Sequence, residues 1–258
     1  MLADPTIPRA ALVTGGAKRL GRAMAEALAA DGFAVAIHCH ASEAEAESLA
    51  AEIRARGGRA AVLTADLACE SEVDSLVGRA AEAVGPLGCL VNNASIFEMD
   101  TAATATRASW DRHLEPNLRA PFVLAQHLAR GLPEGAGGLV VNMLDQRVWN
   151  LTPYFISYTL SKSGLWTLTR TLALALAPRV RVCGIGPGPT LPSPRQSDAD
   201  FARQCRQTPL RHGPTPEEIA MTLRFLLAAR SLTGQMIALD GGQHLGWAQE
   251  GAAAPPSE

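Results

Sequence analysis

Lysine is nearly missing from this chain. Of its 23 Lys and Arg residues only two are lysines, Lys18 and Lys162. A lysine kept where arginine is otherwise preferred marks a place that needs a compact ammonium rather than a flat, permanently charged fork. Tyrosine is equally scarce, with Tyr154 and Tyr158 alone. The five cysteines (Cys39, Cys69, Cys89, Cys183, Cys205) are scattered, odd in number and form no Cys-x-x-Cys. That pattern argues against a disulfide framework or a cysteine zinc site and suits a reducing cytosol. No apolar run approaches the roughly 20 residues needed to span a bilayer, and the chain does not open on a charged-then-apolar signal segment. A cytoplasmic protein without membrane partners is expected. The net charge of -2 leaves no basic field for nucleic acid. What the chain has in quantity is apolar residues, 47% of 258, ample for a large core.

The scarce residues meet at one spacing. Tyr158 and Lys162 lie four apart, so on a helix they stack on one face. An ammonium beside a phenol favours the phenolate and tunes it toward acid–base work near neutrality. Asp145 closes the apolar run 138–144 and is placed at the carboxyl end of a buried strand, where open parallel sheets hold their ligands. Tyr-x-x-x-Lys by itself also describes an ordinary helix with a half-buried tyrosine and a solvated lysine.

Near the start, the apolar run 10–14 reads as a buried strand and 22–31 as a helix closed by Gly32. Between them lies Thr14-Gly15-x-x-x-Arg19-x-Gly21. A strand, a glycine turn and a helix N-terminus make a diphosphate cradle, here with Arg19 where a middle glycine is commoner. The second strand, 33–40, ends in His38-Cys39-His40-Ala41-Ser42, with no carboxylate before Glu43. An NAD site would carry an acid there for the ribose hydroxyls. Lys18, Arg19, His40 and Ser42 would instead receive a 2′-phosphate, so the expected cofactor is NADPH. A metal pair of His38 and His40 lacks a third ligand at suitable spacing, and no metal is expected.

Further along, helices are expected over 42–56, 70–84, 110–130 (blemished by Pro116 and Pro121), 153–177 and 217–229. Residues 199–207 are a weaker helical candidate, and Thr215 an N-cap. Strands are expected over 59–64, 89–92, 138–144, 180–185 and 235–239. Asp66 is set to bond a base or to cap the next helix. Asn92 to Phe97 follow a strand end. Asn117, disfavoured inside a helix, has room for a structural or proton-relay role. Trp149 and Trp166 are most simply core. This alternation predicts one α/β domain over 9–247: a Rossmann-type doubly wound parallel sheet of about seven strands with helices on both faces. Residues 1–8 precede it, 192–216 form a substrate loop, and 248–258 read as a disordered tail.

The ordered set Thr14-Gly15-x-x-x-Arg19-x-Gly21, Asn92-Asn93-Ala94, Asn117, Tyr158-x-x-x-Lys162, Pro187-Gly188 and Asp240-Gly241-Gly242 resembles the short-chain dehydrogenase/reductases over nearly the whole chain. Most of that superfamily has serine where Asp145 stands, and an ionised carboxylate cannot donate to a substrate carbonyl. Thr-Gly-Gly-Ala-Lys-Arg-Leu-Gly, His-x-His-x-Ser, Asn-Asn-Ala-Ser-x-Phe and Asn-Met-x-Asp are similar to the pteridine reductases, and the ending Leu-Asp-Gly-Gly-Gln-His-Leu to the bacterial dihydromonapterin reductases. Ala41 departs from the arginine that the eukaryotic pteridine reductases tend to have, shifting the 2′-phosphate toward Arg19 and Ser42. The resemblance implies NADPH-dependent reduction of a dihydropterin by Asp145, Tyr158, Lys162 and Asn117. It implies cofactor contacts at Thr14, Gly15, Lys18, Arg19, Leu20, Gly21, His40, Ser42, Asp66, Leu67, Asn93, Ala94, Ser95, Tyr158, Lys162, Pro187 and Gly188. The pterin would meet Arg19, Ser95, Phe97, Asp145 and Tyr158. It also implies a homotetramer built through the helices that begin near Trp110 and Pro153. Two alternatives stand beside it: a reductase of a carbonyl substrate such as an oxoacyl thioester or a sugar, and a non-catalytic NADPH-binding regulator.

Overall fold

The computed structural model describes residues 4–193 and 196–246. Trp247 and the 248–258 tail lie outside the described residues, as do Pro194 and Arg195 of the expected substrate loop. Seven strands form one sheet: β1 (Ala10–Val13), β2 (Ala34–Cys39), β3 (Ala60–Thr64), β4 (Cys89–Asn92), β5 (Gly138–Met143), β6 (Val180–Pro187) and β7 (Met236–Leu239). Their order is β3-β2-β1-β4-β5-β6-β7, and every pairing is parallel. This is the doubly wound sheet expected from the alternation. Order reverses between β1 and β4, opening a crevice at the strands' carboxyl ends.

β1, β2, β4 and β5 are buried at every position, which explains their largely apolar sequences: helices cover both faces. Because side chains alternate along a strand, Ala11, Val13, Ile37, Val91 and Val141 enter one core layer. That layer packs under α1 (Arg19–Ala30), α2 (Glu43–Ala55) and α8 (Pro216–Ala228). Leu12, Ala36, Leu90, Val140 and Val182 enter the other, under α3 (Glu70–Val84), α5 (Ala120–Gly131) and α6 (Ile156–Ala175). Asp4 and Thr6, ahead of β1, are docked: Asp4 N–H donates to Leu227 O at 3.1 Å and Gly137 N–H to Thr6 O at 3.1 Å; residues 1–3 of the expected N-terminal extension lie outside the described residues.

Two helices differ from the sequence expectation for identifiable reasons. The single helix expected over 110–130 begins earlier, as α4 (Arg107–Leu114) behind a Thr106–Ser109 capping box. It then widens into a π-helical stretch, Glu115–Arg119, before α5. Pro116 has no N–H to give an i−4 carbonyl, and the wider turn accommodates it. The long helix expected from 153 starts only at Ile156, because Phe155 sits at φ 58°, ψ 46°. Pro178 follows shortly after its end at Ala175 and cannot continue it. Inside the substrate loop, α7 (Asp198–Arg206) is N-capped by Ser197. Thr215 caps α8 with Glu218 in a reciprocal box, as expected.

Trp149 is not core. It is 44% exposed and stands edge-on to Trp166 and to His244, with centroids 6.3 and 5.1 Å apart. All five cysteines are free thiols, and burial pushes Cys89 up to about 12 and Cys183 to about 11. Among the described residues no helix is long and apolar enough to cross a membrane, and no cluster of His, Cys, Asp or Glu could hold a metal ion.

Candidate active site

Most of the motifs spaced along the chain converge on the carboxyl edge of the sheet, because they follow strands; Asn117, in the π-helical stretch, does not. The turn after β1 comes first. Gly15 has φ +60°, and its N–H donates to His38 Nδ1 at 3.1 Å while Gly16 N–H donates to His38 O at 2.9 Å. Nδ1 is therefore an acceptor, and Nε2 carries the proton toward Ala65 O at 3.0 Å. Burial of this neutral ring pushes its pKa down to about 4. His38 is thus a strut for the glycine turn, a role its sequence position did not reveal.

Thr14 and Asn93 brace the turn from the other side. Thr14 Oγ1 accepts from the N–H groups of Asn93 (2.9 Å) and Ala94 (3.1 Å). Asn93 Nδ2 donates to Thr14 O at 2.9 Å and Gly15 O at 3.0 Å. Gly21 must lack a side chain, since a Cβ would lie 2.1 Å from Gly15 O. Arg19 takes φ 53°, the left-handed conformation a glycine adopts freely and another residue at a cost of about 1–2 kcal/mol. The middle glycine missing from the motif is replaced by a strained arginine. Its guanidinium crosses the crevice mouth to Pro192 O (2.8 Å) and Leu191 O (3.1 Å).

These features suit a dinucleotide. No side chain caps α1 at Lys18, and its first turn holds no acid, so the N–H groups of that turn and the helix dipole favour a diphosphate. At the end of β2, His40 is exposed and Ser42 half-buried. Ser42 is the N-cap residue of α2, yet its hydroxyl makes no cap bond. Lys18 pairs with Glu45 at 2.5 Å on the surface. Asp66 does not cap α3, whose N-cap is Cys69; its Oδ1 accepts from Ala68 N–H at 2.9 Å in a local turn, beside buried Leu67.

A cavity of about 340 Å³ opens beside this cradle. It gathers Arg19, Leu20, Asn93, Ser95, Phe97, Asp145, Tyr158, Lys162, Pro187 and Gly188 from the sequence-derived set. Tyr158 OH donates to Asp145 Oδ2 at 2.8 Å, and Asp145 Oδ1 accepts from Arg147 N–H at 2.8 Å. Lys162, 2% exposed, donates from Nζ to Met143 O at 2.8 Å and lies 5.8 Å from the Tyr158 ring centroid. Burial lowers its pKa to about 8, with the Asp145 charge opposing that fall. Asn117 touches none of these groups. Its amide accepts from Ile96 N–H (2.8 Å) and donates to Ile96 O (2.9 Å) and Ser161 Oγ (3.1 Å), stapling the π-helical stretch to the loop after β4 and to α6.

Several lining residues lie outside the set expected from the sequence. Phe155 stacks on Phe97 with centroids 4.4 Å apart and planes 8° from parallel, so one face of Phe97 is already covered. Arg147, 7% exposed, lies with its guanidinium carbon 5.2 Å from the Phe97 centroid and 4.7 Å from that of Phe155. Met99, Gln146, Leu191, Gln196, Gln204 and Gln243 complete the wall. Nothing local in the sequence distinguishes these positions; the glutamines from α7 and the chain's end arrive only through tertiary folding.

Residues 9–201 match the family model described as short chain dehydrogenase. Among solved structures, the chain is similar to the FolM alternative dihydrofolate reductase 1 of Brucella canis, crystallised with NADP. The two share 51% identity and a TM-score of 0.92, over 97% of this chain and 100% of that one. A blue fluorescent protein from a metagenomic library, in complex with NADPH, is 31% identical with a TM-score of 0.85, over 93% of this chain and 99% of its own. A 3-oxoacyl-[acyl-carrier-protein] reductase of Synechocystis is 31% identical over 235 residues, covering 90% of this chain and 95% of that protein.

Proposed function

The chain belongs to the short-chain dehydrogenase family, and from that membership we propose that it is an NADPH-dependent reductase of dihydropterins, of the pteridine-reductase-like branch. The observation that carries this reading is the Tyr158 hydroxyl held on a carboxylate, Asp145, at 2.8 Å. An enzyme that reduces a ketone gains from a hydroxyl donor at that place. A carboxylate instead accepts, and the N–H groups of a pterin ring offer it donors that a simple ketone lacks.

Bound NADPH supplies the hydride. The chain's own residues do the rest. The uncapped start of α1, with Gly15 and Gly21 closely packed, is suited to the diphosphate; Lys18, His40 and Ser42 are suited to the 2′-phosphate, whereas the Arg19 guanidinium, expected there from the sequence, turns instead toward Pro192 and Leu191 at the cavity. Reduction of a C=N bond needs a proton at nitrogen as well as a hydride at carbon. Tyr158 holds a transferable proton between Asp145 and the cavity, and the buried Lys162 ammonium stabilises the phenolate left behind. Asp145 orients the phenol and raises its proton affinity, opposing Lys162. The stacked Phe97 and Phe155 rings form an aromatic wall of the cavity suited to a flat bicycle, and Ser95 and Arg19, which line the same cavity, are suited to its polar edge. Asn117 fixes the loop that carries Ser95 and Phe97. The FolM protein of Brucella canis, named a dihydrofolate reductase and bound to NADP, supports both the cofactor and the ring system. The same reading has the chain assemble as a homotetramer through α4, α5 and α6, where Trp110, Phe122 and Leu160 are exposed.

An Asp145→Ser variant tests the role of the carboxylate. It is expected to lose dihydropterin turnover by about a hundredfold, within the range for a misplaced proton-transfer group, while binding NADPH normally. Dihydropterin turnover at the wild-type rate would remove Asp145 from the mechanism.

A further inference from the structure

One buried polar chain has no part in the chemistry above. Asp100 is 3% exposed, His113 1% and Ser157 0%. The Asp100 carboxylate accepts from Ser157 Oγ (2.5 Å) and from Ser157 N–H (3.2 Å). Ser157 Oγ also lies 2.7 Å from His113 Nδ1, and His113 Nε2 accepts from Glu98 N–H at 3.1 Å. The proton directions follow from these contacts. Nε2 is an acceptor, so Nδ1 carries the hydrogen and shares it between Ser157 Oγ and Ser109 O, which lies at 3.0 Å. Ser157 then directs its own proton to Asp100. The backbone carbonyl of Asp100 accepts from Phe155 N–H at 2.8 Å.

The chain therefore joins three separate segments: the loop after β4 that carries Phe97, the end of α4, and the start of α6 that carries Tyr158. Asp100 grips Phe155 itself, at its N–H, and Ser157 two residues further on. The Phe155 φ of 58° is unusual for a bulky side chain, and such a conformation persists where the surroundings over-determine it. Bonds to Asp100 hold its own N–H and the residue two positions on, Ser157. In that conformation its ring stacks on Phe97, and Tyr158 places an edge against Phe97 with centroids 4.6 Å apart.

We propose that Asp100, Ser157 and His113 are positioning residues of the substrate pocket. Their buried hydrogen-bonded chain holds Phe155 left-handed and so sets the Phe97–Phe155 wall against which a flat ring packs. The inference rests on the dihydropterin reading for its kinetic part and stands on geometry for the rest. Ser157→Ala removes the central hydroxyl and alters no side chain that touches substrate. It is expected to raise KM for a dihydropterin about tenfold with kcat within about threefold, the pattern of lost uniform binding, and NADPH affinity unchanged. Hydrogen exchange of the peptides containing Glu98 and Phe155 should accelerate while the sheet stays protected. Ser157→Thr, which keeps the hydroxyl, should restore both. Asp100→Asn, isosteric with the carboxylate, serves as the second variant and should move the same two readouts. A variant that melts earlier but keeps KM and keeps exchange at those two peptides overturns the proposal, leaving only core packing. If the wild-type protein turns over no dihydropterin, the functional reading fails on its own; the exchange measurement still decides the clamp, and unchanged exchange at Glu98 and Phe155 overturns it.

Discussion

Lys162 offers a prediction in which stability and activity move in opposite directions with pH. Its ammonium is almost wholly buried, and desolvation brings the pKa from 10.5 to about 8 despite the pull of Asp145. Below pH 8 the group is charged in both folded and unfolded chains, and the folded state bears the full desolvation penalty. Between pH 8 and 10.5 the folded protein releases the proton while the unfolded chain keeps it. The unfolded state then binds more protons, so stability rises with pH through this window. At about 1.4 kcal/mol for each tenfold change in the proton equilibrium, the rise totals about 3 kcal/mol. For a domain of this size that is roughly 5–10 °C in melting temperature. The assay is thermal unfolding of cofactor-free protein from pH 7 to 10.5, taken as the difference between wild type and Lys162→Met, so that other titrating groups cancel. Over the same window kcat/KM of the wild type should fall, because a neutral lysine no longer favours the phenolate of Tyr158. A stability difference that stays flat across this range would show that Lys162 is solvated like a surface lysine, and the reasoning from its burial would be wrong.

Three further outcomes follow from the geometry. Tyr158→Phe removes the transferable proton placed on Asp145 and should lower kcat about a hundred- to ten-thousandfold, with NADPH affinity retained in a fluorescence titration. Gly21→Ala would set a Cβ 2.1 Å from Gly15 O and 2.6 Å from Asn93 Nδ2. It should destabilise by about 1–3 kcal/mol and weaken NADPH binding, as calorimetry would measure. Thr215→Ala breaks the capping box of α8, in which Glu218 N–H meets Thr215 Oγ1 at 3.3 Å. It should cost about 1 kcal/mol of stability in a denaturant melt and leave kcat/KM unchanged, since α8 lies on the far side of the sheet from the Asp145–Tyr158 pair.

Much of the molecule was legible because its signals are local. The runs that became β1, β4 and β5, the glycine turn, and the four-residue step from Tyr158 to Lys162 each carry their meaning within a short window. Strand ends in a doubly wound sheet all face one edge, so placing a motif after a strand also placed it in the site; Asp145 was found this way, whereas Pro187, the last residue of β6, came only from the family resemblance. The aromatic wall was not legible. Phe97 gave a local cue, but Phe155 reaches it from 58 positions away only because its backbone turns left-handed, and that turn is held by Asp100 and, through Ser157, by His113. His38 read as half of a possible metal pair and proved to be a strut, since its partners Gly15 and Ala65 belong to other strands' ends. Trp149 read as core on hydrophobicity alone, whereas it stands at the rim against His244. The π-helical turn at Glu115–Arg119 needed Pro116 and the Asn117 staple together, which no helical periodicity reports.

The central claim is that a carboxylate-tuned tyrosine in a short-chain fold reduces a pterin C=N bond rather than a ketone. The most direct measurement is kcat/KM for NADPH oxidation by the purified protein with 7,8-dihydromonapterin, dihydrobiopterin and dihydrofolate, beside a 3-oxoacyl thioester and a sugar carbonyl. The account predicts turnover of at least one dihydropterin, well above any carbonyl substrate, with the product a tetrahydropterin. Folded, NADPH-binding protein that reduces a carbonyl substrate and leaves every dihydropterin untouched would contradict it.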